Sequence, residues 1–126
     1  MVGSVGPRQL AATLPYVDSW NTWWDWYGNT AEGFESHNAQ ITEAARKAGR
    51  DPGEVDRSAC VYIAFDGADR ERPSGDVPPL MGSPAELAAA LRELAEAGAD
   101  EAILVLDPIT EDTVRRCGAV LAALDA

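Results

Sequence analysis

Segments with helical and strand-like patterning alternate along the entire 126-residue chain, and few folds tolerate that order. Leu10, Leu14 and Val17 recur at helical spacing, which predicts a helix over 7–16 that Pro15 kinks or ends early. A short strand, Ser19-Trp20-Asn21-Thr22, then leads into an aromatic run from Trp23 to Tyr27, which Gly28-Asn29 closes with turn chemistry. Thr30 is placed to cap a second helix whose apolar face carries Phe34, His37, Ile41, Ala44 and Ala48, with Gly49 as its stop. Ser58 to Phe65 is apolar on both faces, as expected of a parallel strand covered by helices on one side and packed into an interior on the other.

A polar stretch rich in Pro, Gly and charge follows over 66–82, and its length predicts a mobile loop. Ser83-Pro84-Ala85-Glu86 is the clearest local signal: a serine cap, a proline at the first helical position and a glutamate that completes a capping box. Leu87, Leu91 and Leu94 give that helix its core face, and Gly98 stops it. The next buried strand is Glu101 to Leu106, ending in Asp107-Pro108. Thr110 caps a last helix with the stripe Val114, Cys117, Leu121 and Leu124.

Strict alternation of this kind implies right-handed crossovers and a parallel sheet. An open doubly wound sheet and a closed barrel both fit the order, but a (β/α)8 barrel needs roughly 250 residues. Only Val2 precedes the first glycine turn, where a complete open sheet would place a full apolar strand. The expected fold is therefore α/β, about half of a (β/α)8 TIM barrel, namely its C-terminal portion, as one domain over 1–126.

The first turn, Gly3-Ser4-Val5-Gly6-Pro7-Arg8, has the chemistry of an anion site. Glycines let a ligand approach the main chain, Pro7 suits the first helical position, and the next N–H groups have no acceptor inside the helix. An ordinary tight turn accounts for the same residues.

The net charge of −11 disfavours nucleic acid and anionic membrane as partners, because both are bound through clustered Lys and Arg. Cys60 and Cys117 sit in apolar patterns and read as small buried hydrophobes, so neither a disulfide nor a metal site is expected. His37, the single histidine, falls on an apolar helix face and reads as a packing residue. No apolar stretch reaches the ~18 residues of a membrane span, and no signal-peptide pattern opens the chain; a cytoplasmic location is expected. Asp25, Asp66 and Asp107 follow strand ends, where caps and turns commonly need carboxylates, and no catalytic residue is assigned.

Several motifs, in order, resemble one family. Val2-Gly3-Ser4-Val5-Gly6-Pro7-Arg8-Gln9-Leu10 followed by Tyr16-Val17-Asp18-Ser19-Trp20-Asn21 is similar to the C-terminal half of the bacterial luciferase-like monooxygenases, especially the branch that uses a deazaflavin coenzyme. Ala48-Gly49-Arg50-Asp51-Pro52, Gly82-Ser83-Pro84-Ala85-Glu86-Leu87 and Ala97-Gly98-Ala99-Asp100 match later connections of that family, and Ser4 stands where it has a second glycine. The resemblance implies a barrel that binds a deazaflavin or FMN at the C-terminal ends of its strands, for hydride transfer or oxygen activation. It places the coenzyme phosphate at Gly3, Ser4, Val5, Gly6 and Arg8. Trp20, Trp23 and Trp24 then lie on the active-site face as candidates for a substrate pocket, or else cover surface left by the absent half.

The functional expectation is half of a luciferase-like oxidoreductase, inactive alone, with a homo-oligomer or a complementary N-terminal half covering its open edges. The alternative is a non-catalytic dimeric binding or assembly module with a tryptophan-lined pocket.

Overall fold

The computed structural model describes residues 1–72 and 75–126. Its elements follow the chain as α1 (Pro7–Thr13), β1 (Ser19–Thr22), α2 (Trp24–Tyr27), α3 (Ala31–Lys47), a 3-10 turn (Pro52–Glu54), β2 (Asp56–Ala64), α4 (Pro84–Glu96), β3 (Glu101–Asp107) and α5 (Glu111–Asp125). The three strands form one parallel sheet in the order β1-β2-β3. Val2 adds a single bridge outside β1: its N–H donates to Ser19 O at 3.0 Å and its carbonyl accepts from Asn21 N at 2.8 Å. Strand order that never reverses, joined by right-handed crossovers, sends the connecting helices α1, α3 and α4 to the same side of the sheet. That is the arrangement of a barrel wall; a doubly wound sheet changes direction.

The helix-facing side of the sheet supplies Trp20, Ala59, Val61, Ile63 and Phe65 to the core, against Phe34 and Ile41 of α3, Leu87, Leu91 and Leu94 of α4, and Val120 of α5. Local chemistry sets the helix starts. Thr30 accepts from Gly33 N, and the Ser83–Glu86 capping box is complete. Thr110 also caps α5, in a reciprocal pair with Thr113.

Arg57 is the main polar fastener. It is 6% exposed, and its guanidinium donates to Val55 O (2.9 Å), Asn38 O (3.2 Å), Asn38 Oδ1 (2.6 Å), Thr42 Oγ1 (3.2 Å) and Pro52 O (2.9 Å). It thereby ties β2 to α3 and to the turn between them. Gly98 is required beside this junction: its φ is +107°, and a Cβ there would come within 2.3 Å of Asn38 Nδ2.

The first helix ends at Thr13 with Leu14 as its cap, ahead of Pro15, the early end expected of that proline. Arg50 then donates to Leu14 O (2.8 Å) and to Val17 O, holding the descent into β1. The strand spans Ser19–Thr22 as expected, and the aromatic run past it folds into the short helix α2, stopped by Gly28 at φ 79°. Other expectations need correction. On α3 the buried position is Ala45, with Ala44 and Ala48 only half-buried. His37 is half-buried as well, and its Nδ1 has no hydrogen-bond partner among the described residues, so it is not a satisfied core histidine. On α5 the buried stripe is Thr113, Cys117 and Val120, while Val114 and Leu121 are more than half exposed. The expected mobility over 66–82 falls partly on residues 73 and 74, which lie outside the described residues.

Candidate functional site at the strand ends

In parallel barrels the chemistry gathers at the C-terminal ends of the strands, and two clusters lie there in this chain. The first is the turn after Val2. Neither Gly3 nor Gly6 has a left-handed φ, so the turn does not use the backbone freedom that its glycines offer. Gly6, at the helix cap, keeps φ −67° and ψ 125°, and its N–H donates to Ser4 Oγ at 3.0 Å. The turn is instead held from below: Trp20 Nε1 donates to Ser4 O at 3.0 Å. No side chain caps α1, so the N–H groups of Arg8 and Gln9 open the helix without an intrahelical acceptor. An open cavity of about 420 Å³ lies against the turn, lined by Val2 to Gly6, Gln9 and Trp26. Trp26 is 58% exposed there.

The second cluster joins the ends of β2 and β3. Asp107 is 1% exposed; its Oδ2 accepts from Tyr62 Oη at 2.6 Å and its Oδ1 from Glu71 N at 2.6 Å, with Arg72 N at 3.2 Å from both oxygens. Burial pushes this carboxyl up, but the hydrogen bonds from Tyr62, Glu71 and Arg72 outweigh it and hold Asp107 below the usual carboxylate range. Burial and the bond to Asp107 both push the Tyr62 phenol up. Trp24 stacks on Tyr62 with ring centroids 4.5 Å apart, Trp23 tilts against Trp24 at 5.7 Å, and the Arg72 guanidinium lies 6.0 Å from the Trp23 ring centre. Trp24 Nε1 and Arg72 Nε are buried without partners among the described residues.

The free flank of β2 beyond β1 is closed by side chains. Tyr27 Oη donates to Cys60 O at 2.7 Å, and the Asn29 amide accepts from Tyr62 N at 3.0 Å while donating to Tyr62 O at 2.9 Å. Leu80 continues the same flank as a parallel bridge to Ile63. Asn29 does this from a left-handed backbone with φ 56°, a conformation that asparagine tolerates better than most residues.

The sequence-derived candidates are thus only partly assembled. Gly3, Ser4, Val5, Gly6 and Arg8 form one exposed turn. Trp23 and Trp24 belong to the Tyr62–Asp107 cluster. Trp20 is fully buried on the helix side against Phe34 and lines no pocket at the strand ends. Asp25 and Asp66 are exposed. No group of His, Cys, Asp and Glu suited to a metal occurs among the described residues, and no helix there is long and apolar enough to cross a membrane. Sequence reasoning missed Tyr62 and Asn29, because both read as ordinary strand and turn residues; their signal was the unpaired flank of β2.

Parallel strands in sequence order, helices on one face and polar clusters at the C-terminal strand ends make this chain an α/β unit equivalent to half of a (β/α)8 barrel. No protein-family model matches it, and no curated protein matches it. Solved structures do. An F420-dependent secondary alcohol dehydrogenase, in complex with an F420–acetone adduct, superposes with a TM-score of 0.71 at 14% identity over 97% of this chain and 47% of that one. The coenzyme F420-dependent tetrahydromethanopterin reductase from Methanopyrus kandleri superposes with a TM-score of 0.64 at 17% identity, over 96% of this chain and 48% of its own. Both are luciferase-like family members, the family that the sequence motifs resemble. At these identities the likeness establishes the fold, and the chain spans just under half the length of the solved structures that it matches.

Proposed function

We propose that this chain is the C-terminal half of a deazaflavin-dependent oxidoreductase and that its first turn holds the coenzyme phosphate. The observation that carries this reading is the superposition on the F420-dependent dehydrogenase, which spans almost the whole chain. The turn's chemistry supports it. Arg8 and Gln9 present N–H groups at the start of α1, the Arg8 side chain is exposed, and the open cavity beside them admits an anion.

When bound, a deazaflavin supplies hydride chemistry. The chain's own residues position it. Trp20 fixes the turn through Ser4, Trp26 borders the cavity, and Trp23, Trp24 and Tyr62 form an apolar wall that excludes water from the ends of β1 and β2. Deazaflavin is favoured over FMN because both structures described above depend on F420.

The test is titration with oxidised and reduced F420, FMN and inorganic phosphate while tryptophan fluorescence is followed. F420 should quench saturably, and Trp26→Phe should remove most of the response without unfolding the chain. A chain that binds none of these probes, alone or joined to an N-terminal half, refutes the reading and leaves the assembly-module alternative.

A further inference from the structure

The side of the sheet away from the helices is layered. Strand register places Asn21, Ser58 and Glu101 side by side in the lowest layer, Cys60 and Ile103 above it, then Tyr62 and Val105, then Ala64 and Asp107. The upper layers are closed over by the Trp24–Tyr62–Asp107 cluster, but the lower end of β3 is open. Glu101 and Ala102 are exposed, and Ile103 is 42% exposed. The outer edge of β3 pairs with nothing among the described residues. A free parallel edge beside an exposed apolar layer is a template for another strand.

The charge pattern of that face selects what can cover it. Asn21 Nδ2 donates to Ser58 Oγ at 2.9 Å, and Ser58 Oγ donates to Glu101 Oε1 at 2.8 Å, which fixes the Glu101 carboxylate in the lowest layer. Glu101 has no salt bridge among the described residues. Asp56, Glu101 and Asp107 are the charged residues on this side of the three strands, and all are acidic; Arg57 points the other way, into its buried network. A second copy closing the barrel around a two-fold axis would set Glu101 against Glu101 in one layer, and each copy carries −11.

Resting on the half-barrel reading, we propose that this face docks a complementary half barrel that carries a lysine or arginine in its lowest interior layer, opposite Glu101. An unmodified second copy of this chain does not meet that requirement. The complement pairs with β3 along its free edge, covers Ile103 and Val105 with apolar side chains, and gives Glu101 its missing cation.

A Glu101→Lys variant of this chain is itself a half barrel with a cation in that layer, so it serves as the probe. Sedimentation velocity on wild type, variant and an equimolar mixture reads the outcome, with circular dichroism as the control for folding. The mixture should associate at about tenfold lower concentration than either protein alone, a change worth about 1.4 kcal/mol. Added salt should weaken the association, and Ile103→Asp in either partner should abolish it. Should Glu101→Lys not fold, Glu101→Gln provides a second route: with the opposed charges gone, it should self-associate about tenfold more tightly than wild type.

A wild-type protein that dimerises as tightly as the mixture, through a contact broken by Ile103→Asp, overturns the proposal in favour of a second copy. A folded mixture that stays monomeric overturns it outright, as does a Glu101→Gln variant no stickier than wild type. Neither readout depends on F420, so failure of coenzyme binding leaves this test intact.

Discussion

Replacing Arg57 tests whether the buried guanidinium acts through its fork geometry or through its charge. It donates five hydrogen bonds to Val55, Asn38, Thr42 and Pro52, and none of these acceptors is a carboxylate. Burial accordingly pulls its pKa down, with Asp100 opposing. Bonds from a charged donor contribute about 1.5 kcal/mol each at the low end, but the desolvation of an unpaired cation removes several kcal/mol of that gain. The balance is about 3 kcal/mol for Arg57→Met, which leaves the Val55 and Pro52 carbonyls short of a donor. Such a loss is a large share of the ~5–15 kcal/mol that stabilises a domain of ordinary size. Arg57→Lys should cost at least as much, because the ammonium is more strongly hydrated and cannot span three backbone segments at once. Urea unfolding at neutral pH, with unchanged slope, measures both. A lysine variant within ~0.5 kcal/mol of wild type, the ordinary range for surface substitutions, would refute the fork argument, and a methionine variant equally close would show the network to be idle.

Two further perturbations probe the strand ends. Asp107 is held ionised below the ordinary carboxylate range, so its contribution is complete above an unfolded pKa of about 3.9 and is lost as pH falls through the lower folded value. Asp107→Asn should cost about 2 kcal/mol at pH 7, because an amide N–H replaces an acceptor among three donors. It should also flatten stability against pH over the acid limb; denaturant midpoints in neutral and acid buffer measure this, and an equally steep acid loss in the variant would contradict it. Trp20→Phe deletes the donor to Ser4 O. The Gly6 amide, bonded to Ser4 Oγ, should then exchange hydrogen at least several-fold faster, and unchanged exchange would mean that the turn holds itself.

Where local chemistry decides an element, the sequence was sufficient. The Ser83 capping box, the Thr30 and Thr110 caps and the buried strand β2 need only neighbours within a few residues, and all stand as expected; β3 forms where expected but is exposed over Glu101 to Ile103, not buried. The errors arise where tertiary contacts choose between equivalent local patterns. Val114 and Thr113 both suit an α5 stripe, and the choice fell to Thr113 because its hydroxyl donates to Pro108 O at 2.7 Å and completes the cap. Trp20 looked like pocket lining because it precedes other tryptophans. Strand alternation turns it to the helix side instead, two residues before Thr22, and brings it under the turn as support.

The unequal cover of the two sheet faces explains why an apolar run gave the right strand but concealed the open surface. β2 is buried on both faces beyond Asp56, as its sequence required. Its inner residues are sheltered by Trp24 over Tyr62 and by the hydrogen-bonded ends of β1 and β3, while the Tyr27, Asn29 and Leu80 contacts close its flank. β3 has no such neighbours on its far side, so an equally apolar sequence, Ile103-Leu104-Val105-Leu106, emerges only partly covered. Hydrophobicity alone therefore could not distinguish the two strands. Glu101, fixed by Ser58 and without a salt bridge among the described residues, is the residue of β3 on which the proposed cation-bearing complement rests.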